Sequence, residues 1–151
     1  MISASKEKIQ ELREKSGVSV MACKKALEDA GGDLEKAFSL LKEVGATLAL
    51  KKEGRETKEG AIFSYVHQTA KIATLVKIAC ETDFVARTDD FKFLGKEIAM
   101  QIAATAPENI SGLLGEMYIK NSSQTVADYL NEMIGKFGEK IEISNFARLE
   151  L

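Results

Sequence analysis

The chain has 151 residues, 45% of them hydrophobic and 29% charged, with a net charge of −2 and a mean hydropathy of −0.11, which suits one ordinary soluble domain with room for a small satellite. No apolar run approaches the roughly 18 residues that span a bilayer, and the start MISASKEKIQ lacks the apolar core of a secretory signal, so a cytosolic protein is expected. The pI near 5.6 disfavours non-specific binding of nucleic acid by the molecule as a whole.

Residues 1–45 read as three short helices. Ser5 can cap the first, Ile9 and Leu12 form its apolar side, and Gly17 follows as a left-handed terminator. The second begins near Ser19 and carries Cys23, Ala26, Leu27 and Ala30 at three- and four-residue spacings until Gly31 and Gly32 end it. Asp33 can cap the third, where Leu34, Ala37, Phe38, Leu41 and Val44 keep one face apolar up to Gly45. Three such faces make a minimal helical core. Met21 lies two positions before Cys23, about 200° away around a helix, so it should point outward, either as an ordinary exposed residue or, with Val20, as a contact edge for a partner.

Residues 46–59 begin helix-like, then become charged and lose apolar periodicity, which predicts a solvated connector. Two strands follow, AIFSYV (Ala61–Val66) and IATLVKIAC (Ile72–Cys80), joined by the polar turn HQTAK as a hairpin. The stretch CETDFVARTDDF places Phe84 in the turn between the second strand and a helix, with local packing against Phe91 or Leu94 as its plain explanation. That helix is capped by Thr88, carries Phe91, Leu94, Ile98, Ile102 and Ala106 on one face, and must stop before Pro107. Glu108–Lys120 is poorly patterned. Thr125 and Asp128 form a capping box ahead of Val126, Tyr129, Leu130, Met133, Ile134 and Phe137, and Gly138 ends that helix. The tail EKIEISNFARLEL alternates Ile141 and Ile143 and, less regularly, Phe146 and Leu149, which suits a third strand beside the hairpin. The fold class expected is α+β: a three-helix unit, then a small three-stranded antiparallel sheet covered by helices.

Converging catalytic groups are scarce. There is no glycine-rich phosphate loop, HExxH or GxSxG, and Cys23 and Cys80 show no CxxC spacing and have only His67 as an imidazole partner, so no metal or cofactor is expected. Both cysteines read as buried thiols. Cys80 with His67 is the best nucleophile pair available, yet a thiolate inside an aliphatic strand is disfavoured by desolvation. Glu81, Asp83, Asp89 and Asp90 read as capping and turn charges rather than a magnesium site.

The segments LREKSGVSVMACKKALEDAGGDLEKA, SYVHQTAKIATLVKIACETDFVA, AMQIAATAP and GEKIEISNFARLEL together resemble the translation elongation factor Ts family, the guanine-nucleotide exchange factors of elongation factor Tu. The resemblance implies that residues 1–45 form a ubiquitin-associated-like three-helix domain docking on the partner through Arg13, Val20 and Met21. It implies that residues 60–151 form a single-copy core, and that Thr82, Asp83, Phe84 and Val85 displace magnesium from the partner's nucleotide site, with Phe84 intruding. Gln101 corresponds to a core contact; it stands where histidine is usual in the family, and Val20 stands where many relatives carry methionine. Longer relatives contain two core copies and a coiled coil, so one copy here suggests a homodimer and a two-to-two complex. A small adaptor binding ubiquitin-like or helical peptides through residues 1–45, or a GTPase activator using Arg87 as a finger, are the competing readings.

Overall fold

A computed structural model describes residues 4–151, which divide into two compact units: residues up to 53 together with 131–138, and residues 54–130 together with 139–151. The class is α+β, as expected. Among the described residues no helix is long and apolar enough to cross a membrane.

The first unit is built from α1 (Lys6–Ser16), α2 (Val20–Asp29) and α3 (Leu34–Lys52), with a segment of a later helix. Each start is capped as its sequence requires: Ser5, Ser19 and Asp33 accept from the amides of Lys8, Ala22 and Lys36. Gly17 takes φ +68°, closing α1 onto the Arg13 carbonyl at 2.7 Å. Leu12, Cys23, Ala26, Leu27 and Ala37 form the buried core, with Ile9, Leu34, Phe38 and Leu41 packed around it.

The third helix corrects the expected boundary. It runs through Gly45 to Lys52, so residues 46–52 are helix and not connector. Gly45 is buried where the backbone carbonyl of Asn131 approaches it; a β-carbon there would lie 3.1 Å from that oxygen. The glycine therefore serves close packing rather than termination, and Val44, assigned to the apolar face, is exposed. Lys52 is buried along its stem and donates to the Gly138 carbonyl at 2.7 Å.

The second unit contains β1 (Glu59–Val66) and β2 (Ile72–Cys80), then α4 (Asp83–Ala86), α5 (Asp89–Thr105), α6 (Ile110–Gly115), β3 (Met117–Tyr118) and β4 (Asn121–Thr125). α7 (Val126–Phe137) begins in this unit and gives Asn131–Phe137 to the other, and β5 (Ile141–Glu150) closes the chain. The main sheet is antiparallel in the order β1-β2-β5, the hairpin and third strand expected. One face carries Phe63, Val76, Ile78, Cys80, Ile141 and Ile143, and its β1 and β2 part packs against α5, whose Gly95 lets the Phe63 ring approach. Phe63 and Phe91 rings lie 5.7 Å apart, and Thr74 donates to the Ala99 carbonyl at 2.9 Å.

The irregular alternation in β5 has a structural cause. Lys77 pairs with Asn145 but Ile78 with Ile143, so Ser144 is an inserted residue, a bulge that shifts the phase. Phe146 stays opposite buried Val76, and Leu149 turns to the other face, where it is 77% exposed.

α5 ends at Ala106 in the left-handed conformation, just before Pro107. The unpatterned stretch 108–120 is ordered: Asn109 caps α6, and β3 and β4 form a small antiparallel hairpin. Thr125 and Asp128 exchange bonds at 3.0 and 3.1 Å in the expected capping box.

Candidate functional site

β2 delivers the chain into a tight turn at its Cys80 end. The Thr82 hydroxyl caps the single turn of α4 by accepting from the Val85 amide, and Thr88 then caps α5 through the Phe91 amide at 3.2 Å. Successive side chains on so short a helix point about 100° apart. Val85 is buried and Phe84, beside it, is 83% exposed. The local-packing explanation for Phe84 is thus overturned: its ring meets solvent, while Phe91 fills the core against Phe63. Asp83 pairs with Arg87 at 3.2 Å, one turn apart, with both side chains exposed.

Two carboxylates hold this turn in place. Glu139 accepts from the Glu81 and Thr82 amides, each at 3.0 Å, and from the Thr82 hydroxyl. Glu81 in return accepts from the Lys140 amide at 2.8 Å and is met by Arg55 at 3.3 Å. The Cys80 thiol donates to the Thr82 carbonyl at 3.2 Å; its burial, with the negative charge of Glu139 nearby, pushes its pKa up to about 11. Such a thiol is a poor nucleophile at neutral pH. Cys80 pairs with Glu59 at one end of the hairpin, whereas His67 sits at the turn end, bonded to the Tyr65 hydroxyl at 3.0 Å, so the two never meet. Glu81, Asp83, Asp89 and Asp90 do not converge either, and no group of three potential metal ligands occurs among the described residues.

In the first unit Val20 is 44% and Met21 73% exposed, the outward phase expected of Met21. Val20 and Arg13 line a groove of about 430 Å³ with Lys6, Ile9, Gln10 and Glu14.

Gln101 is fully buried within the chain, accepting from the Ile119 amide at 2.9 Å and donating to the Met117 carbonyl at 3.1 Å, so its carboxamide holds the β3-β4 hairpin. Beside it the buried Glu97 accepts from the Tyr118 hydroxyl at 2.7 Å and pairs with Lys120. Burial and the Glu97 bond push the Tyr118 phenol well above its ordinary range. Glu97 and Glu139 escaped the sequence reading because a lone carboxylate on a helix or in a turn carries no periodic signal.

Fold and site together define a small α+β protein that offers an outward aromatic on a braced turn and a separate apolar groove on a helical unit. Residues 81–151 match the family model for elongation factor TS. The chain is 39% identical to the elongation factor Ts of Desulfosudis oleivorans over 95% of each protein. It is 37% identical to that of Desulforamulus reducens, over the whole chain and 90% of the relative, and 40% identical to that of Thermoanaerobacter sp., over 99% and 95%. The chain belongs to the elongation factor Ts family. The alignment with the first relative runs over 188 positions, so that protein carries segments without a counterpart here.

Proposed function

We propose that this protein is a cytoplasmic guanine-nucleotide exchange factor that binds GDP-bound elongation factor Tu and promotes GDP release during translation elongation, acting through protein contact alone. The observation that carries the reading is the 83% exposed ring of Phe84 on a turn whose neighbours are anchored. An exposed phenylalanine on a fixed backbone can enter another protein with little ordering cost.

Thr82, Asp83, Phe84 and Val85 form the segment that disturbs the partner's magnesium and phosphate site, with Phe84 intruding and Val85 rooting the turn. In a P-loop GTPase the magnesium bridges nucleotide phosphates and protein oxygens, so shifting the segments that hold it weakens several charge-assisted contacts together. Each 1.4 kcal/mol lost is about tenfold in nucleotide affinity, and a few contacts give orders of magnitude. Linkage makes the effect reciprocal, so incoming nucleotide releases the factor. Arg13, Val20 and Met21 dock the helical unit, which we read as ubiquitin-associated-like, on the same partner.

A homodimer, giving a two-to-two complex, is supported by the uncovered face of the main sheet, where Ile62, Val66, Leu75 and Leu149 are all more than half exposed. The test of the central reading is release of labelled GDP from elongation factor Tu with and without the factor. Acceleration is expected, and a Phe84→Ala factor that accelerates equally well sinks the role of Phe84.

A further inference from the structure

The main sheet's backbone pairing ends at Cys80 opposite Ile141. Immediately beyond that pair the ladder is continued by side chains. The Glu139 carboxylate takes the amides of Glu81 and Thr82 at 3.0 Å each and the Thr82 hydroxyl, and the Glu81 carboxylate takes the Lys140 amide at 2.8 Å in the opposite direction. Residues 81 and 82 are thus tied to residues 139 and 140 by a reciprocal clasp. Three donors on one carboxylate exceed what a solvated turn charge needs, and bonds to an ionised acceptor are roughly twice as strong as neutral ones.

The clasp acts on the residue that sets the geometry of α4. Thr82 is its N-cap, extended at φ −126° and ψ 152°, and the direction of the turn follows from where its amide and hydroxyl are held. Glu139 fixes both. Val85 then enters the core and the next position outward carries Phe84. Gly138, at φ +70°, brings the chain out of α7 so that Glu139 arrives at this point.

We infer that Glu139 is the positioning residue of the Thr82–Val85 segment, holding the Phe84 ring in the orientation that a GTPase partner receives. The inference rests on the reading of Phe84 given above. Glu139 acts through Thr82, whose amide and hydroxyl it holds.

The test measures labelled GDP release from the partner at rising factor concentration, for Glu139→Gln, Glu139→Asp, Phe84→Ala and the Glu139→Gln/Phe84→Ala double variant. Amide hydrogen exchange is followed at Glu81, Thr82, Val76 and Ile78. Glu139→Gln should lower the maximal release rate by about 10- to 100-fold, as misplacing a functional group by an ångström does. The half-saturating concentration should hold, because the docking groove is untouched. Exchange should quicken at Glu81 and Thr82 and not at Val76 and Ile78, which marks a loosened turn in a folded sheet. Glu139→Asp should recover part of the rate, and it carries the same comparison if Glu139→Gln fails to fold. In the Phe84→Ala background Glu139→Gln should cost nothing further. A wild-type maximal rate despite lost protection at Thr82, or the same fold-loss with and without Phe84, overturns the positioning role. A wild-type rate in Phe84→Ala alone overturns the underlying reading of Phe84 instead, whatever Glu139 does.

Discussion

The side chain of Gln101 on α5 and the backbone of Ile119 in the β3-β4 hairpin are joined by a 2.9 Å bond, while the same carboxamide donates to the Met117 carbonyl at 3.1 Å. The bonding groups of a missing strand are thereby supplied by one buried side chain. Gln101→Ala leaves an amide and a carbonyl without their partner, at a cost of roughly 1–3 kcal/mol. The expected outcome is a midpoint of thermal unfolding lowered by several degrees, with m-value unchanged. A Gln101→Ala protein that melts like the parent but binds its partner poorly would return this residue to the docking surface.

Phe84 and Val85 are adjacent in sequence and opposite in role, which separates stability from partner binding. Val85→Ala removes buried methyls and should cost roughly 1–3 kcal/mol. Phe84→Ala removes an exposed ring and should change stability by no more than about 0.5 kcal/mol. Under the proposed function the ranking inverts in the GDP-release assay, where loss of an intruding aromatic should slow exchange by about 30-fold or more. Chemical denaturation and release rates on the same two variants check both halves.

Cys80 makes stability depend on alkaline pH. Burial and the Glu139 charge lift its thiol from an ordinary 9.0 to about 11, so between those values the unfolded chain has lost the proton that the native chain keeps. The native state then binds more protons, and unfolding is favoured as pH rises. The stabilising contribution is whole below pH 9 and gone above about pH 11. Relative to Cys80→Ala, the parent should therefore lose stability across that window. A pH-independent difference between the two proteins in urea titrations would show that the thiol is not held in this way.

What could be read in the sequence was carried by local chemistry. Ser5, Ser19, Asp33, Thr88 and Thr125 announce helix starts because a cap needs only its own first turn, and Met21 announces its exposure through its phase against Cys23. Gly45 misled because a glycine within a helix and one that ends it look alike until the backbone it packs against is known. Residues 108–120 carry no periodic pattern because their order comes from polar contacts with Gln101 and Glu97, which lie some twenty residues earlier. The Ser144 bulge inverted the assignment of Leu149 for the same reason: register belongs to the pair of strands. At the site, residue patterning left local packing as the plain explanation of Phe84 while the family resemblance implied an outward ring, which the structure shows; the clasp of Thr82 by Glu139 spans more than fifty residues of chain and has no local signal.

The proposed dimer can be tested on the open face of the sheet. There Val66, Ala73 and Leu149 lie in one cross-strand row and Ser64, Leu75 and Ala147 in the next, a nearly uncharged surface centred on β2. Two such faces related by a two-fold axis bury the same residues twice, so one substitution is felt twice. Burying a leucine is worth about 1.5–3 kcal/mol. Leu75→Asp, at a site 52% exposed within the single chain, should leave the fold intact. It should also weaken dimerisation by about a hundredfold or more. Sedimentation at micromolar concentration should give a dimer for the parent and a monomer for Leu75→Asp. A parent that sediments as a monomer removes the dimer, and with it the two-to-two complex, while leaving the exposed turn of Phe84 to act from a single copy.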